Sequence, residues 1–386
     1  MLIENKKIVI VGGGMGGLTL ARLLQMQNAD VKVYERDLNR DVRVQGSTLD
    51  LHDGTGLEAM KRAGLMDEFY ANYRPHASRM RIVDEALNIK FEDHNSEKTV
   101  AENRPEIDRA PLRDILLNSL KPDTVVWDSH FVSMEKQGNG WLLHFKNGTR
   151  VYADLVIAAD GANSKVRPYL STEEPVYSGV TLIEGNIYHA EKNSPKLFDF
   201  TKGGKVMAFG SGQFIGYGTK GDGSIMFVAS FKAPENWAAQ SGIDFKSKEQ
   251  VFAWFKKEYA SWSDKWYDFF TNDEVHFILR PQYYFPLNQT WETQESLTMI
   301  GDAAHRMPPF AGEGANVAMQ DAFELAECLT GDKFPDIKTA ISYFEKQMII
   351  RGAEATQDTL ENTERMHSKT ALEQMLAFFS QVQDEQ

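Results

Sequence analysis

Hydrophobic positions change period several times along the chain, and each change marks an element. Lys6 to Val11 (KKIVIV) is a β-branched run too short for a helix. Gly12 to Gly17 break it, and LTLARLLQMQNA follows with apolar residues at helical spacing. A second strand, Val31 to Tyr34, completes the order strand, glycine turn, helix, strand that opens a nucleotide-binding α/β domain. Pro111 to Leu120 (PLRDILLNSL) reads as a helix with proline in its first turn. Alternating segments follow in TVVWDSH and WLLHFKNGTRVYADLVIAADG, where Asn147 and Gly148 signal a hairpin turn. From about Glu173 to Glu274, short alternating runs such as GKVMAFG, FIGYGTK and SIMFVASF predict a mostly antiparallel sheet. Leu297 to Ile300 is a short apolar strand running into GDAAHRMPPFAGEGANVAMQDAFELAECL, a loop entering a helix. Ile337 to Gln386 is rich in helix formers.

The 386 residues, 42% hydrophobic and 25% charged, suffice for two domains or one large one. A net charge of -13 argues against phosphate backbones and anionic membrane surfaces, so nucleic acid is not an expected partner. No apolar run reaches the roughly 18 residues of a membrane span, and the N-terminus carries no signal pattern. A cytoplasmic location is expected. The single cysteine, Cys328, excludes an intramolecular disulfide or paired-thiol centre and reads as a buried apolar residue.

Gly12, Gly14 and Gly17 form G-x-G-x-x-G between a strand and a helix. The three glycines serve a tight turn, close approach of a pyrophosphate to backbone, and close helix packing. Free N–H groups at the helix start then face the anion. Glu35 ends the second strand, where an acidic side chain can accept ribose hydroxyl bonds. NAD, NADP and FAD all fit this much.

Three motifs in order, GGGMGGLTLARLL with Glu35 and Arg36, DLVIAADGANSKVR, and GDAAHRMPPFAGEGANVAMQDA, resemble the flavoprotein aromatic hydroxylases, the single-component monooxygenase family. The middle motif corresponds to Asp160, Gly161, Ser164 and Arg167, the third to Gly301, Asp302, Pro309, Gly312, Gly314 and Asn316. VYERDLNRDVRVQGSTLDLHDGTGLEAMKRAGL, PEIDRAPLRDILLNSL and GDAAHRMPPFAG resemble the tetracycline-inactivating flavin monooxygenases more closely. The fold implied is α/β. A Rossmann-like FAD-binding domain (1–76, 101–172 and 276–326) interleaves with a mostly antiparallel β-sheet substrate domain (77–100 and 173–275). A long C-terminal helical segment (327–386) bridges them.

Beyond the glycines and Glu35, the resemblance implies FAD contacts by Arg36, Asp50, Arg109, Arg113, Asp160, Asp302, Pro309, Gly312, Gly314, Ala315 and Asn316, and an NADPH-linked role for Arg43. Asp302 would accept a ribityl hydroxyl bond, while the helix entered at Gly314 would favour negative charge on reduced flavin. His305 could serve as a base, but a structural hydrogen bond is the expectation in this motif.

The closer family holds its drug with an amide, a guanidinium and an imidazole. Their approximate counterparts here are Gly185, Lys205 and Met226, of which only Lys205 is charged, and lysine cannot reproduce planar bidentate bonding. Matches persist at Pro309, Phe310 and Gly312, and at Asn362 and Met366. The resemblance implies that NADPH reduces FAD and that one atom of O2 passes to an electron-rich carbon. No catalytic side chain is assigned, and neither a nucleophilic triad nor a metal cluster is found. No second G-x-G-x-x-G follows a strand, so a separate NADPH domain is not expected. The expected protein is a monomeric monooxygenase of a polycyclic phenolic or enolic substrate, tetracycline-type foremost. A hydroxylase of another aromatic or polyketide compound and a non-catalytic, ligand-sequestering flavoprotein are the alternatives.

Overall fold

The computed structural model describes residues 1–42, 46–94, 104–272 and 275–384. Its first layer is a parallel sheet whose strands run in the order Leu297–Met299, Leu155–Ala158, Lys7–Val11, Asp30–Tyr34, Val125–Val126. Leu155–Ala158 and Leu297–Met299 are buried throughout, as strands covered on both faces must be. The fingerprint helix Met15–Met26 packs on this sheet and against the helix Gly314–Thr330. A Cβ on Gly16 would lie 2.8 Å from the Ala318 carbonyl oxygen, so the two helices meet at a position only glycine admits.

The second layer is a seven-stranded sheet: His276–Tyr284, Val176–Ile187, Ile225–Lys232, Gln213–Thr219, Lys205–Phe209, Met80–Val83, Ile89–Glu92. All its pairs are antiparallel except Lys205–Phe209 with Met80–Val83. One face is sealed by Phe227, Trp254, Phe255, Trp266, Phe269 and Phe270, contributed by strand and helices alike. Because side chains alternate, Met226 and Val228 flank Phe227 on the opposite face.

The substrate-segment boundary placed at residue 275 needs correction. His276–Tyr284 pairs with Val176–Ile187 over most of its length, so it belongs to the seven-stranded sheet. It is the edge strand and carries Pro281, which an edge tolerates and which obscured it in the sequence. Gly216, Gly218 and Gly221 do repeat the fingerprint spacing. They lie on Gln213–Thr219 and the turn into Ile225–Lys232, with no helix following, so they form no second nucleotide site.

The C-terminal segment carries the expected long helix, followed by a second, shorter one. Ile337–Met366 spans 30 residues, roughly 45 Å at 1.5 Å per residue. His367 caps it, and Ala371–Asp384 folds back along the cavity described below. Cys328 is buried, and burial pushes its thiol up to about 11. No described helix is long and apolar enough to cross a membrane.

Candidate flavin and substrate site

A cavity of about 1570 Å³ is lined from both layers. Gly14, Met15, Arg109, Arg113, Asn163 and Asp302 border one part, and Lys205, Met207, Phe214, Met226, Phe310 and Met366 another.

The three fingerprint glycines separate by what a side chain would meet. Gly12 has φ +109°, and a Cβ there would collide with the Ala159 carbonyl. A Cβ on Gly17 would collide with the Gly12 carbonyl. At Gly14, the N-cap of Met15–Met26, nothing lies within 4 Å, and the residue borders the cavity. Two glycines thus close the turn upon itself and the third leaves room for a ligand, which fits a bound pyrophosphate.

Glu35 is buried, and its carboxylate accepts from the Gly13 N–H at 2.6 Å and the Asp37 N–H at 3.0 Å. It therefore shapes the turn itself. Arg36 is exposed and lies outside the cavity lining. Arg113 is buried, donates to the Arg40 carbonyl at 2.9 Å, pairs with Asp37 and stands 5.3 Å over the Trp127 ring. Arg109 begins the helix Arg109–Asn118 at the cavity edge. Arg43 lies outside the described residues.

Asp160 caps a turn, its Oδ2 accepting from the Lys165 N–H at 2.7 Å, and burial raises its carboxyl. Arg167 ties this middle motif to the third. It donates to the Ala303 and Ala304 carbonyls, at 3.0 Å each, and stacks 3.5 Å from the Phe285 ring centroid. Burial lowers its pKa to about 10.

In the third motif, Gly301 takes φ +61°, the short helix Asp302–His305 follows, and Asp302 opens onto the cavity. Burial among protein atoms raises the Asp302 carboxyl against the charges of His305, Arg109 and Arg306. His305 turns away, its Nε2 2.5 Å from Asp321 Oδ2, and Asp321 also accepts from the Gly301 N–H and from Arg351. His305 thus makes its hydrogen bond within a buried ion network. Pro309, Phe310 and Gly312 border the cavity, and Gly312 holds φ +74° beside Asp50. Gly314 and Ala315 open the helix Gly314–Thr330. The Asn316 amide is committed to backbone: it accepts from the His52 N–H at 2.9 Å and donates to the Asp50 carbonyl at 2.9 Å.

Between these parts lies a charged cluster. His52 bridges Asp50 at 2.9 Å and Glu313 at 3.4 Å. Although burial opposes it, those carboxylates raise His52 to about 9. Burial likewise opposes ionisation of Asp50, but His52 and Lys205 draw it down to about 2. Asp50 and Glu106 face each other across the Thr48–Asp50 and Glu106–Asp108 ladder, and Lys205 is salt-bridged to Glu106. Burial raises Glu106, while the carboxylates raise Lys205 against its own burial.

Residues 5–331 match the protein family described as FAD binding domain. The chain belongs to this FAD-binding family. It is 28% identical over 370 residues to monooxygenase penA of Penicillium thymicola, covering 84% of each chain. It is also 28% identical over 378 residues to the chloroplastic zeaxanthin epoxidase of an Oncidium hybrid cultivar, covering 91% of this chain but only 54% of that one. The solved structure of tetracycline destructase Tet(55) shares the fold, with TM-score 0.77 at 20% identity over 99% of this chain and 97% of that one. The chain is thus a member of the FAD-binding family and is similar to enzymes named as a monooxygenase and an epoxidase.

In this FAD-binding protein the part of the cavity that Lys205 and Met226 line departs from the aligned positions. Met226 lies on the cavity face, between Asn186 and Gly218 on the neighbouring strands. Gly185 does not: a Cβ there would collide with the Phe227 ring in the aromatic core. Leu182 and Glu184 border the cavity instead, so the aligned position falls on the wrong face of the strand. Asn362 and Met366 bring the end of the long helix to the same cavity, with the Asn362 side-chain Oδ1 accepting from the Arg365 guanidinium at 2.8 Å. Sequence reasoning missed His52, Glu106, Glu313 and His367. Only His52 left a trace, in the Asp-Leu-His spacing that sets it two residues from Asp50. Among the described residues no His, Cys, Asp or Glu group could hold a metal ion.

Proposed function

We propose that this FAD-dependent enzyme consumes NADPH and inserts one oxygen atom from O2 into a polycyclic phenolic or enolic substrate, tetracycline-type compounds being the first to test. The observation that carries the reading is the single cavity joining Gly14 and Asp302 to Met207, Phe214, Met226, Phe310 and Met366. Its volume accommodates a dinucleotide together with a ring system.

Gly14 and the start of Met15–Met26 would receive the pyrophosphate, Asp302 a ribityl hydroxyl, and the start of Gly314–Thr330 the ring edge that becomes negative. Bound flavin supplies the activation of oxygen. Phe310, Met366 and the sheet-face methionines exclude water, which limits loss of activated oxygen as hydrogen peroxide. Lys205 offers a cation to an acidic phenol or enol, with its charge balanced from behind by Glu106. Tet(55), a tetracycline destructase, shares this fold and supports the choice of drug class.

The test is NADPH oxidation and oxygen uptake with tetracyclines and simple phenols, followed by product mass. The expected product is heavier by one oxygen atom, labelled when the gas is oxygen-18. If only another polyketide or phenol is hydroxylated, the tetracycline reading fails. Ligand binding without NADPH-linked oxygen uptake would favour a sequestering protein.

A further inference from the structure

Phe310 stands in the cavity wall on the loop between the short helix Asp302–His305 and the helix Gly314–Thr330. Its ring meets the His367 imidazole edge to face, with centroids 5.1 Å apart and planes at 76°. His367 is 2% exposed and caps Ile337–Met366. Its Nδ1 lies 2.7 Å from the Thr363 carbonyl oxygen and its Nε2 2.8 Å from Ser230 Oγ.

These bonds fix the tautomer. A carbonyl oxygen can only accept, so Nδ1 carries the proton, Nε2 accepts, and the Ser230 hydroxyl donates. Burial pushes the imidazole down to about 4, which keeps it neutral and Nε2 available as an acceptor; the nearest charges, Lys232 and Glu364, act in opposite senses. Ser230 is itself anchored, since its carbonyl accepts from the Tyr259 hydroxyl at 3.0 Å. Ser230 also belongs to the strand that carries Met226 and Val228 to the cavity floor. One ring thus joins the end of the long helix, the substrate sheet and the loop of the flavin-side motif.

We propose that His367 is a positioning residue that holds Phe310 in the cavity wall, so that the same buried hydrogen bonds which dock the long helix on the sheet also set water access to the flavin. The inference rests on the reading of this cavity as the flavin and substrate chamber. His367 does not line that cavity and takes no part in the chemistry. Its effect passes through the Phe310 ring, which packs against an apolar cluster that contains Met366, Phe214 and Met375.

The experiment is iodide quenching of the fluorescence of FAD bound to the holoenzyme, which needs neither NADPH nor substrate. It therefore succeeds or fails independently of the monooxygenase reading. Wild type is compared with His367→Leu, His367→Gln, Ser230→Ala and Phe310→Ala. Phe310→Ala sets the response of an opened wall. His367→Leu should raise the quenching constant by about two- to tenfold, the factor that one lost hydrogen bond, that to Ser230, places on a two-state equilibrium. Ser230→Ala should raise it less, and serves as the test if the leucine variant does not fold. Gln, whose amide N–H can donate to the Thr363 carbonyl while its oxygen accepts from Ser230, should return quenching toward wild type. Unchanged quenching in flavin-loaded His367→Leu or Ser230→Ala, while Phe310→Ala responds, overturns the proposal. So does a Phe310→Ala variant that quenches like wild type.

Discussion

His52 Nε2 stands 2.9 Å from the Asp50 carboxylate, and the pair is joined by Glu313 on the side of His52 and by the charge of Lys205 on the side of Asp50. The pair makes stability depend on pH in both directions. His52 has a folded-state pKa above its unfolded one, so its contribution is full below about 6.5 and is lost as pH rises through about 9. Asp50 is depressed, so its contribution is full above about 4 and is lost as pH falls through about 2. The melting temperature of the protein should therefore fall between neutrality and pH 9, with a loss of at most about 3 kcal/mol. His52→Gln should flatten that limb and leave other titrations in place. An equal alkaline fall in the variant would assign the effect elsewhere.

The fingerprint glycines should respond in opposite ways. Gly17→Ala drives a Cβ into the Gly12 carbonyl, so the apoprotein should lose about 1–3 kcal/mol by overpacking. Gly14→Ala meets no protein atom within 4 Å, so the apoprotein should melt as wild type while FAD binds more weakly. Thermal unfolding without cofactor, set beside an FAD titration of each variant, checks both. A Gly14→Ala protein with normal FAD affinity would remove the pyrophosphate from that position.

Lys205 and Glu106 form a pair in which the acid is 1% exposed and the base opens onto the cavity. Lys205→Met strands a buried carboxylate and should cost about 3–5 kcal/mol. Adding Glu106→Gln should recover much of that loss, because the amide carries no charge. Denaturant midpoints of the two single variants and the double variant measure the coupling. Additive losses would mean that the pair is not coupled.

The parallel sheet was legible because its evidence is local: KKIVIV, the glycines and the following helix lie within one stretch of chain. The third motif was legible for the same reason. The cluster of Asp50, Glu106 and Lys205 was not, since strand pairing brings those residues together from three distant segments, and no spacing rule connects them. His367 was hidden likewise, because its meaning comes from Ser230 and Phe310 across the fold. His276–Tyr284 was lost to Pro281, whose presence argues against a central strand but not against an edge. Gly185 shows how a period of two punishes a small alignment slip, since one residue reverses the face.

That face assignment gives the last prediction. Gly185 pairs with Phe227, and the Phe227 ring occupies the space a side chain at 185 would need. Met226, one residue along the partner strand, is half-buried and borders the cavity. Gly185→Ala should therefore lower stability by about 1–3 kcal/mol and leave the KM of whichever phenol or tetracycline is turned over near wild type. Met226→Gln should do the reverse. Its amide reaches the cavity without burying an unpaired group in the core, so stability should change by less than about 1 kcal/mol while KM moves. Urea unfolding and steady-state kinetics on both variants give four measurements. A stable Gly185→Ala enzyme with an altered KM would place Gly185 on the cavity face and reverse the register deduced for Val176–Ile187. A Met226→Gln enzyme that is destabilised with unchanged KM would lead to the same conclusion from the neighbouring strand.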